Sequence, residues 1–242
     1  MIPRKIHYCW FGGKSLPLLA RRCLASWAYR LPDYEVVRWD EQSFDISSHP
    51  FAAAAYAAGR YAFVSDYVRM CVLAEHGGIY LDVDVEVRGR FDALLDLHLF
   101  IGAEDQQRFA TSIIGAQAGH WLPQHMLEFY DRTEFDLGRL SELVNVNEVS
   151  RLLLKQGFTG NGSDEVRGQE RVLAIGMLAD ARGVGAPGVK PIARHFYAGS
   201  WRSRSGKGVL SRAARSLRKL PEQIEAWLYL QWYRLGSYFN QG

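Results

Sequence analysis

Residues 76–87 read HGGIYLDVDVEV, and this stretch decides the fold prediction. The two glycines are typical of the end of a helix, because glycine adopts the left-handed conformation that closes many helices. The apolar residues that follow predict a buried strand bounded by a turn. Residues two apart on a strand share a face, so Asp82 and Asp84 are expected to project together, away from the apolar side chains between and beside them.

Two carboxylates held side by side repel each other, and the pKa of one of them rises unless a cation lies between them. Mg²⁺ and Mn²⁺ are hard cations that prefer oxygen ligands. Ligand sites of α/β proteins form at the carboxyl ends of parallel strands, where Asp82 and Asp84 are expected. The pair therefore indicates a divalent metal site. The alternative is that one or both carboxylates are solvated at the exposed end of the strand.

The beginning of the chain predicts a β-α-β unit, which is typical of a parallel sheet packed against helices. It consists of a strand over 5–13, a helix over 16–32 and a second strand over 34–40. Further along, one or two helices are predicted over 50–78, strands over 97–105 and 111–117, helices over 121–133 and 145–158, and a polar loop over 159–171. Residues 171–178 are either a strand or the start of a return, and residues 190–201 are expected to form a last strand that leads into a loop. The fold class is therefore α/β with a mostly parallel central sheet flanked by helices.

Composition excludes several classes of protein. The chain has 242 residues, 48% hydrophobic and 23% charged, which suits a folded globular protein with a substantial core. A net charge of +3 does not indicate a nucleic-acid partner. No run of 18 apolar residues predicts a transmembrane helix. Three cysteines without metal-ligand spacing predict buried thiols in a reducing compartment, and no signal peptide is recognised, so a cytoplasmic location is expected.

Asp66 and Arg69 are three residues apart on a predicted helix and therefore share one of its faces. An ordinary intrahelical ion pair is one interpretation. The residues around them are apolar, however, and Asp and Arg are rarely buried unless they are paired or bound to something polar. A carboxylate and a guanidinium at the mouth of a pocket would suit the hydroxyl groups of a sugar.

The last part of the chain has a different character. Residues 202–219 carry seven cations and no acid, and residues 227–239 contain six aromatics on a predicted helix. A basic stripe followed by an aromatic-rich helix is typical of a protein that lies on an anionic membrane surface. Packing of this tail on the rest of the protein, or an oligomer interface, are the alternatives. We therefore expect a catalytic domain over 1–201 and a helical tail over 202–242, with peripheral contact at the inner face of the cytoplasmic membrane.

Four segments together resemble a known family. They are IHYCWFGG (6–13), YAFVSDYVR (61–69), GGIYLDVDVEV (77–87) and HFYAGSW (195–201). In this order they are similar to the DXD-motif sugar-binding glycosyltransferases, of the GT32 type found in capsule and lipopolysaccharide synthesis, with yeast mannosyltransferases as cousins. A more distant similarity links them to the catalytic domains of clostridial glucosylating toxins.

The resemblance implies a GT-A fold and a metal-dependent, retaining glycosyltransferase. It would move a sugar from a UDP- or GDP-sugar donor to a saccharide acceptor, free or lipid-linked, with Mn²⁺ or Mg²⁺ bound to the donor diphosphate. Since no side chain is a clear general base, the leaving phosphate is expected to take the proton of the attacking acceptor hydroxyl.

The resemblance also implies roles for individual residues. On the donor side these are Trp10 (stacking on the base), Asp66 and Arg69 (sugar and ribose), Tyr80 (beside the acidic pair), Asp82 (ribose and metal), Asp84 (direct metal ligand), and Ser200 and Trp201 (closing over metal and diphosphate). In the toxins that serine and tryptophan are separated by one residue and follow an acidic ligand, whereas here they are adjacent. The third metal ligand is therefore open between Ser200 and His195.

Acceptor-side residues are expected where polar side chains follow other elements near the site. Glu104 and Asp105 follow the fourth strand, and Asn147 and Glu148 begin a helix; solvated surface positions are the alternative for each. The residues implied in catalysis are Asp66, Arg69, Asp84 and Trp201.

Two other functions remain open. IYLDVDVEV also fits the strand of haloacid-dehalogenase-like phosphatases, in which Asp82 would be the nucleophile. That chemistry requires a later lysine and a later acidic pair, and nothing after residue 90 has this pattern in the context of a strand. A glycosyltransferase that modifies a protein acceptor is the second alternative.

Overall fold

The computed structural model describes residues 1–178 and 190–198 of the chain. The helices in these ranges are α1 (Leu18–Arg30), α2 (Pro50–Ala57), α3 (Tyr61–His76), α4 (Trp121–Asp131) and α5 (Asn145–Lys155). The strands are β1 (Lys5–Cys9), β2 (Glu35–Trp39), β3 (Gly78–Leu81), β4 (Val85–Val87), β5 (Leu99–Asp105), β6 (Arg108–Ala116), β7 (Glu165–Arg167), β8 (Glu170–Leu173) and β9 (Ala193–His195).

Seven strands form the main sheet in the order β2-β1-β3-β6-β5-β8-β7, and β4 pairs with β9 in a separate two-stranded sheet. The strands β2, β1 and β3 are mutually parallel, β6 is antiparallel to both β3 and β5, β8 is parallel to β5, and β7 is antiparallel to β8. Five strands of this sheet therefore run in one direction and β6 and β7 run against them. The predicted α/β class with a mostly parallel sheet is confirmed.

The two faces of the sheet carry separate cores. One core joins α2, α3, α4 and α5 to the sheet, through residues such as Phe51, Val64, Leu122 and Leu153. The other joins α1 and the β4-β9 pair to the opposite face, through residues such as Trp27, Val85 and Ala193. The helix after β1 thus covers one face and the helices before β3 cover the other. In α/β sheets the point where the connections diverge in this way leaves a crevice at the carboxyl ends of the strands; here it lies between β1 and β3.

The prediction of one continuous strand through Asp82 and Asp84 is wrong. β3 ends at Leu81, the N–H of Val85 donates to the carbonyl of Asp82 at 3.0 Å to close a turn, and β4 begins at Val85. The two strands belong to different sheets, because β3 pairs with β1 and β6 whereas β4 pairs with β9. The two carboxylates therefore project from a turn and not from one face of a strand.

The other elements follow the sequence predictions, with two refinements. Residues 50–78 form two helices, the second of which ends at His76 and is followed by Gly77 and Gly78 with φ of 61° and 105°. The predicted polar loop over 159–171 contains a short hairpin, in which β7 pairs with β8. None of the helices in the described part of the chain is long and apolar enough to cross a membrane. The predicted boundary at residue 201 and the tail over 202–242 lie outside the described residues.

Candidate donor and metal site

Those predicted donor-side residues that the structure describes gather at the carboxyl ends of β1 and β3, two parallel neighbours of the main sheet. The loop of residues 10–14, which we name the β1 loop, follows β1, and the turn of Asp82 to Asp84 follows β3. α3 crosses the sheet here and carries Asp66 and Arg69. Residues far apart in the sequence thus meet at the crevice described above.

Arg69 is the centre of this cluster and is buried, with 4% of its surface exposed. Its Nη2 lies 2.9 Å from Asp66 Oδ1 and 3.1 Å from Asp82 Oδ1, and its Nη1 donates to the carbonyl of Thr111 at 2.6 Å. Its guanidinium carbon lies 4.4 Å from the ring centroid of Tyr80, which is a cation–π distance. The intrahelical ion pair therefore exists, and it is also linked to the turn that carries the acidic pair.

Arg69 does not fully compensate the carboxylates around it. Burial raises the pKa of Asp66 to about 6 although the charge of Arg69 lowers it. Burial likewise raises the pKa of Asp82 above its usual range, against the opposing effect of Arg69. A cation or a group of hydroxyl donors that entered the crevice would favour the charged carboxylates and reverse these shifts.

Asn145, the first residue of α5, completes the cluster, and sequence reasoning missed it. Its Nδ2 donates to Asp66 Oδ1 at 2.9 Å, and its Oδ1 accepts from Thr111 Oγ1 at 3.0 Å. The side chain is 3% exposed. A signal was present in the sequence, because Asn145 shares a helical stripe with the buried Val149 and Leu152, and an amide on an apolar stripe needs polar partners.

The second cluster adjoins the first and combines Asp82 and Asp84 with His195, the last residue of β9. Ligand atoms of the three side chains all lie within 4.8 Å of one another. His195 Nε2 is 3.2 Å from Asp84 Oδ1, and Asp84 Oδ2 accepts from the N–H of Ala198 at 2.8 Å. The pairing of β4 with β9 places His195 opposite Val85 and so fixes this arrangement.

The donor set fits a divalent metal, since two carboxylates and an imidazole are ligands that Mn²⁺ accepts. Burial lowers the pKa of His195, but the hydrogen bond and charge of Asp84, with the charges of Asp82 and Glu104, together raise it by more, so the net shift is upward. Burial raises the pKa of Asp84, but the hydrogen bond and charge of His195 and the N–H of Ala198 together lower it by more, so the net shift is downward. His195 thus compensates the negative charge of Asp84, as a bound cation would compensate the charges of the carboxylates.

The other donor-side residues lie around these clusters. Tyr80 is 1% exposed and lies against Arg69, so it supports the guanidinium from behind. Trp10 is partly exposed in the β1 loop; its N–H groups are both used, because the backbone N–H donates to the carbonyl of Trp39 at 2.9 Å and Nε1 donates to that of Lys14 at 2.5 Å. Ser200 and Trp201 lie outside the described residues.

The four acceptor-side residues separate into two groups. Glu104 is close enough to His195 to raise the pKa of that imidazole, and its buried Oε2 has no hydrogen-bond partner among the described residues. Asp105 is exposed and pairs with Arg108 at 3.7 Å. The remaining two make contacts on their own side of the molecule: Asn147 donates to the carbonyl of Ser141 at 3.1 Å, and Glu148 pairs with Arg151 at 2.6 Å.

A family model and a curated relative match the part of the chain that carries most of this site. The family described as the glycosyltransferase sugar-binding region containing the DXD motif matches residues 17–101, a range that includes Asp66, Arg69 and the turn of Asp82 to Asp84. Inositol phosphoceramide mannosyltransferase 3 of Schizosaccharomyces pombe is 31% identical over 93 residues, which are 37% of this chain and 26% of that protein. The chain therefore spans about a quarter of that relative's length.

One solved structure supports the fold. The PaToxG glycosyltransferase has a TM-score of 0.51 and 19% identity, over 64% of this chain and 69% of its own. The glycosyltransferase GlyE of Streptococcus pneumoniae has a TM-score of 0.48 and 12% identity, over 98% of this chain and 64% of its own. The predicted GT-A architecture is confirmed. Residues 17–101 of the chain thus match the family of glycosyltransferase sugar-binding regions that contain the DXD motif.

Proposed function

We propose that this protein is a metal-dependent, retaining glycosyltransferase that moves a sugar from a nucleotide-sugar donor to a saccharide acceptor. One observation carries the proposal. Arg69 joins Asp66 to Asp82, and Asp82 in turn belongs to the cluster with Asp84 and His195. A site for sugar hydroxyls and a site for a metal-bound diphosphate are thus adjacent, which is what a nucleotide-sugar requires.

Each residue then has a role. Asp84, Asp82 and His195 would hold Mn²⁺ or Mg²⁺, which supplies Lewis-acid stabilisation to a leaving nucleoside diphosphate. Asp66 accepts hydrogen bonds from donor hydroxyls, and Arg69 orients both Asp66 and Asp82. From the family resemblance, we also propose that Ser200 and Trp201 close over the diphosphate. Ser200 is in addition a proposed metal ligand.

The acceptor side is proposed on a narrower basis. Glu104 is the candidate that the structure supports: its buried Oε2 lies 3.6 Å from Arg108 Nη2 but has no hydrogen-bond partner among the described residues, and a sugar hydroxyl would supply one. The Schizosaccharomyces pombe relative is named for transfer of mannose to a lipid, inositol phosphoceramide. Together with the basic and aromatic tail, this name supports a lipid-linked acceptor and peripheral attachment to the inner face of the cytoplasmic membrane. Synthesis of capsule or lipopolysaccharide and the GT32 type rest on the resemblance alone.

The phosphatase alternative requires Asp82 to be a free nucleophile. Its Oδ1 is instead engaged by Arg69 at 3.1 Å, and burial raises the pKa of this carboxyl. The ion pair engages one oxygen of the carboxylate that would have to attack phosphorus. A protein acceptor, by contrast, would use the same donor site, so it remains a variant of the proposed function.

Asp84→Asn tests the proposal by thermal unfolding with UDP- and GDP-sugars, with and without Mn²⁺. A ligand at about 100 times its Kd stabilises a protein by about 2.7 kcal/mol. For a chain of this size we therefore expect the Tm of the wild type to rise by roughly 5–10 °C with one of these donors, only when Mn²⁺ is present. The variant should lose most of this shift.

Asp96→Asn is the matched control, because Asp96 is an exposed aspartate on the loop before β5. It should keep the full shift. If no nucleotide-sugar changes the Tm of the wild type in Mn²⁺, the proposed function is wrong.

A further inference from the structure

We propose that Glu41 is a positioning residue that fixes the β1 loop in the shape that receives the base of the donor nucleotide. The inference rests on the proposed function, and it adds a specificity-determining contact outside residues 82–84 and the Arg69 cluster. It is carried by the hydrogen bonds of Glu41 and by the backbone of the β1 loop.

A hydrogen bond from Trp10 Nε1 to the carbonyl of Lys14 closes the β1 loop locally, but the two glycines of the loop leave its backbone free to adopt other conformations. Gly12 and Gly13 have φ of 95° and 64°, a left-handed region in which glycine is the residue of choice. A side chain at Gly12 would collide with the ring of Tyr61 at the start of α3. The sequence of the β1 loop thus permits several backbone conformations, whereas its close packing against α3 permits few. Contacts with other elements therefore help to set its conformation.

Glu41 supplies such a contact from the turn after β2. Its Oε1 accepts from the backbone N–H of Gly12 at 2.5 Å and from the hydroxyl of Tyr56, near the end of α2, at 3.1 Å. One carboxylate oxygen thus ties the β1 loop to two other elements. Burial raises the pKa of Glu41, but the hydrogen bonds from Gly12 and Tyr56 help to lower it below its usual range. The acceptor is therefore charged at neutral pH, which strengthens both bonds.

Trp10 is the residue that this arrangement presents. Its two N–H groups are used within the protein, by the carbonyls of Trp39 and Lys14, so only the faces and edge of the indole remain for a ligand. Aromatic faces bind bases by stacking. Because β1 and β3 are parallel neighbours, a nucleotide with its diphosphate at Asp84 would reach Trp10 with its base.

The exposed position of Glu41 allows an effect on ligand binding to be distinguished from an effect on folding. Glu41 is exposed, so its loss leaves no buried group without a partner: the N–H of Gly12 would be solvated by water. Folding should therefore be little affected. Part of the binding free energy of the base would then be used to order the β1 loop. Affinity would therefore fall for ligands that carry a base.

The experiment titrates UDP, GDP and inorganic pyrophosphate into the Mn²⁺-loaded protein by calorimetry. For Glu41→Ala we expect the Kd of the nucleoside diphosphate to rise about tenfold, with the Kd of pyrophosphate changed by less than about twofold, since pre-organisation affects only the base. Glu41→Gln keeps an oxygen acceptor and should retain most of the affinity. Gln42→Ala, at the neighbouring exposed position, is the control and should match the wild type.

Two results would overturn the inference. In one, Glu41→Ala binds the nucleoside diphosphate as well as the wild type; in the other, it loses affinity for pyrophosphate to the same extent, which would mean a general loss of structure. A wild type that binds pyrophosphate but neither nucleotide would instead refute the proposed function, and the role of Glu41 with it. Melting temperatures of the variants confirm that each is folded.

Discussion

The charges around Arg69 in the candidate site do not cancel. Three carboxylates (Asp66, Asp82 and Asp84) face one guanidinium and one imidazole, His195. Even with His195 protonated, one negative charge is in excess, and the pKa values of Asp66 and Asp82 rise because of burial that Arg69 does not offset. Removing a charged partner from such a cluster is costly, because the remaining charges stay buried. A divalent cation is the ligand that this excess favours.

Asn145 gives the first prediction at this scale. Asn145→Ala removes a donor to Asp66 and an acceptor of Thr111, both in a buried environment. Leaving such a group unpaired costs about 1–3 kcal/mol; because Asp66 keeps its ion pair with Arg69, mainly the Thr111 hydroxyl loses its partner, and we expect the free energy of unfolding to fall by about 2 kcal/mol. Because Asp66 loses its orientation, kcat/KM for the donor should also fall, by roughly tenfold or more. Urea unfolding and initial rates measure the two effects.

Asn147→Ala is the matched control on the same helix. Asn147 is exposed and donates only to the carbonyl of Ser141, so its loss should change stability by less than about 0.5 kcal/mol and leave the rate near that of the wild type. Equal effects of the two variants would contradict the role that we assign to Asn145.

At the scale of elements, α1 explains why the chain can leave the main sheet at the acidic turn. Trp27 Nε1 donates to the carbonyl of Val85 at 2.7 Å, and Ser26 Oγ accepts from the N–H of Val87 at 2.9 Å. Helix α1 therefore binds β4 directly, while β9 pairs with it on its edge. These contacts hold the far side of the turn that carries Asp84.

Trp27→Phe should consequently affect both folding and metal binding. The substitution leaves the carbonyl of Val85 without its donor in a fully buried position, and we expect a loss of about 1–3 kcal/mol in the free energy of unfolding. Because β4 fixes Asp84, the Kd for Mn²⁺ should also rise, by roughly threefold or more. Calorimetric titration with Mn²⁺ measures this change.

Trp121→Phe separates the two effects. Trp121 Nε1 donates to Glu170 at 2.5 Å in a cluster at the start of α4, so its loss should lower stability but leave the affinity for Mn²⁺ unchanged. The proposed link between α1 and the acidic turn would be refuted if both variants bound Mn²⁺ equally well.

The elements that the sequence predicts well are those fixed by local pattern. Helical spacing and flanking glycine or proline locate α1 and α3, and the three-residue spacing of Asp66 and Arg69 predicts their contact. The break between β3 and β4 is not local: the apolar pattern continues through residues 78–87, and only the change of partner from β6 to β9 divides it. Asn145 and Glu41 were missed for the same reason, since a polar residue at a helix start or in a turn is ordinarily solvated.

At the scale of the whole molecule, the ends of β1 and β3 join the functional loops to the core. His7 lies in β1 and is fully buried. Its Nδ1 accepts from Trp39 Nε1 at 3.0 Å, so its Nε2 carries the proton and donates to the carbonyl of Gly77 at 2.9 Å. The single residue thus links β1 to β2 and to the turn before β3. Both nitrogens are used in the neutral form, and a second proton would break the bond from Trp39.

His7 should therefore make stability depend on pH. Burial lowers the pKa of His7 from 6.5 to about 4, against the opposing effect of the Gly77 carbonyl. Between these values the unfolded chain binds a proton that the folded protein refuses, so stability is complete above pH 6.5 and is lost as the pH falls toward 4. A shift of this size corresponds to about 3 kcal/mol. Asp66 has the opposite effect on stability, because its pKa in the folded protein is raised to about 6. Asp66 is present in every variant, so the difference between variants isolates His7.

We expect urea unfolding at pH 7 and pH 4.5 to show a smaller loss of stability for His7→Gln than for the wild type. His125→Gln, which changes an exposed histidine of α4, should lose as much as the wild type; an equal loss in all three proteins would show that His7 is not the group that titrates.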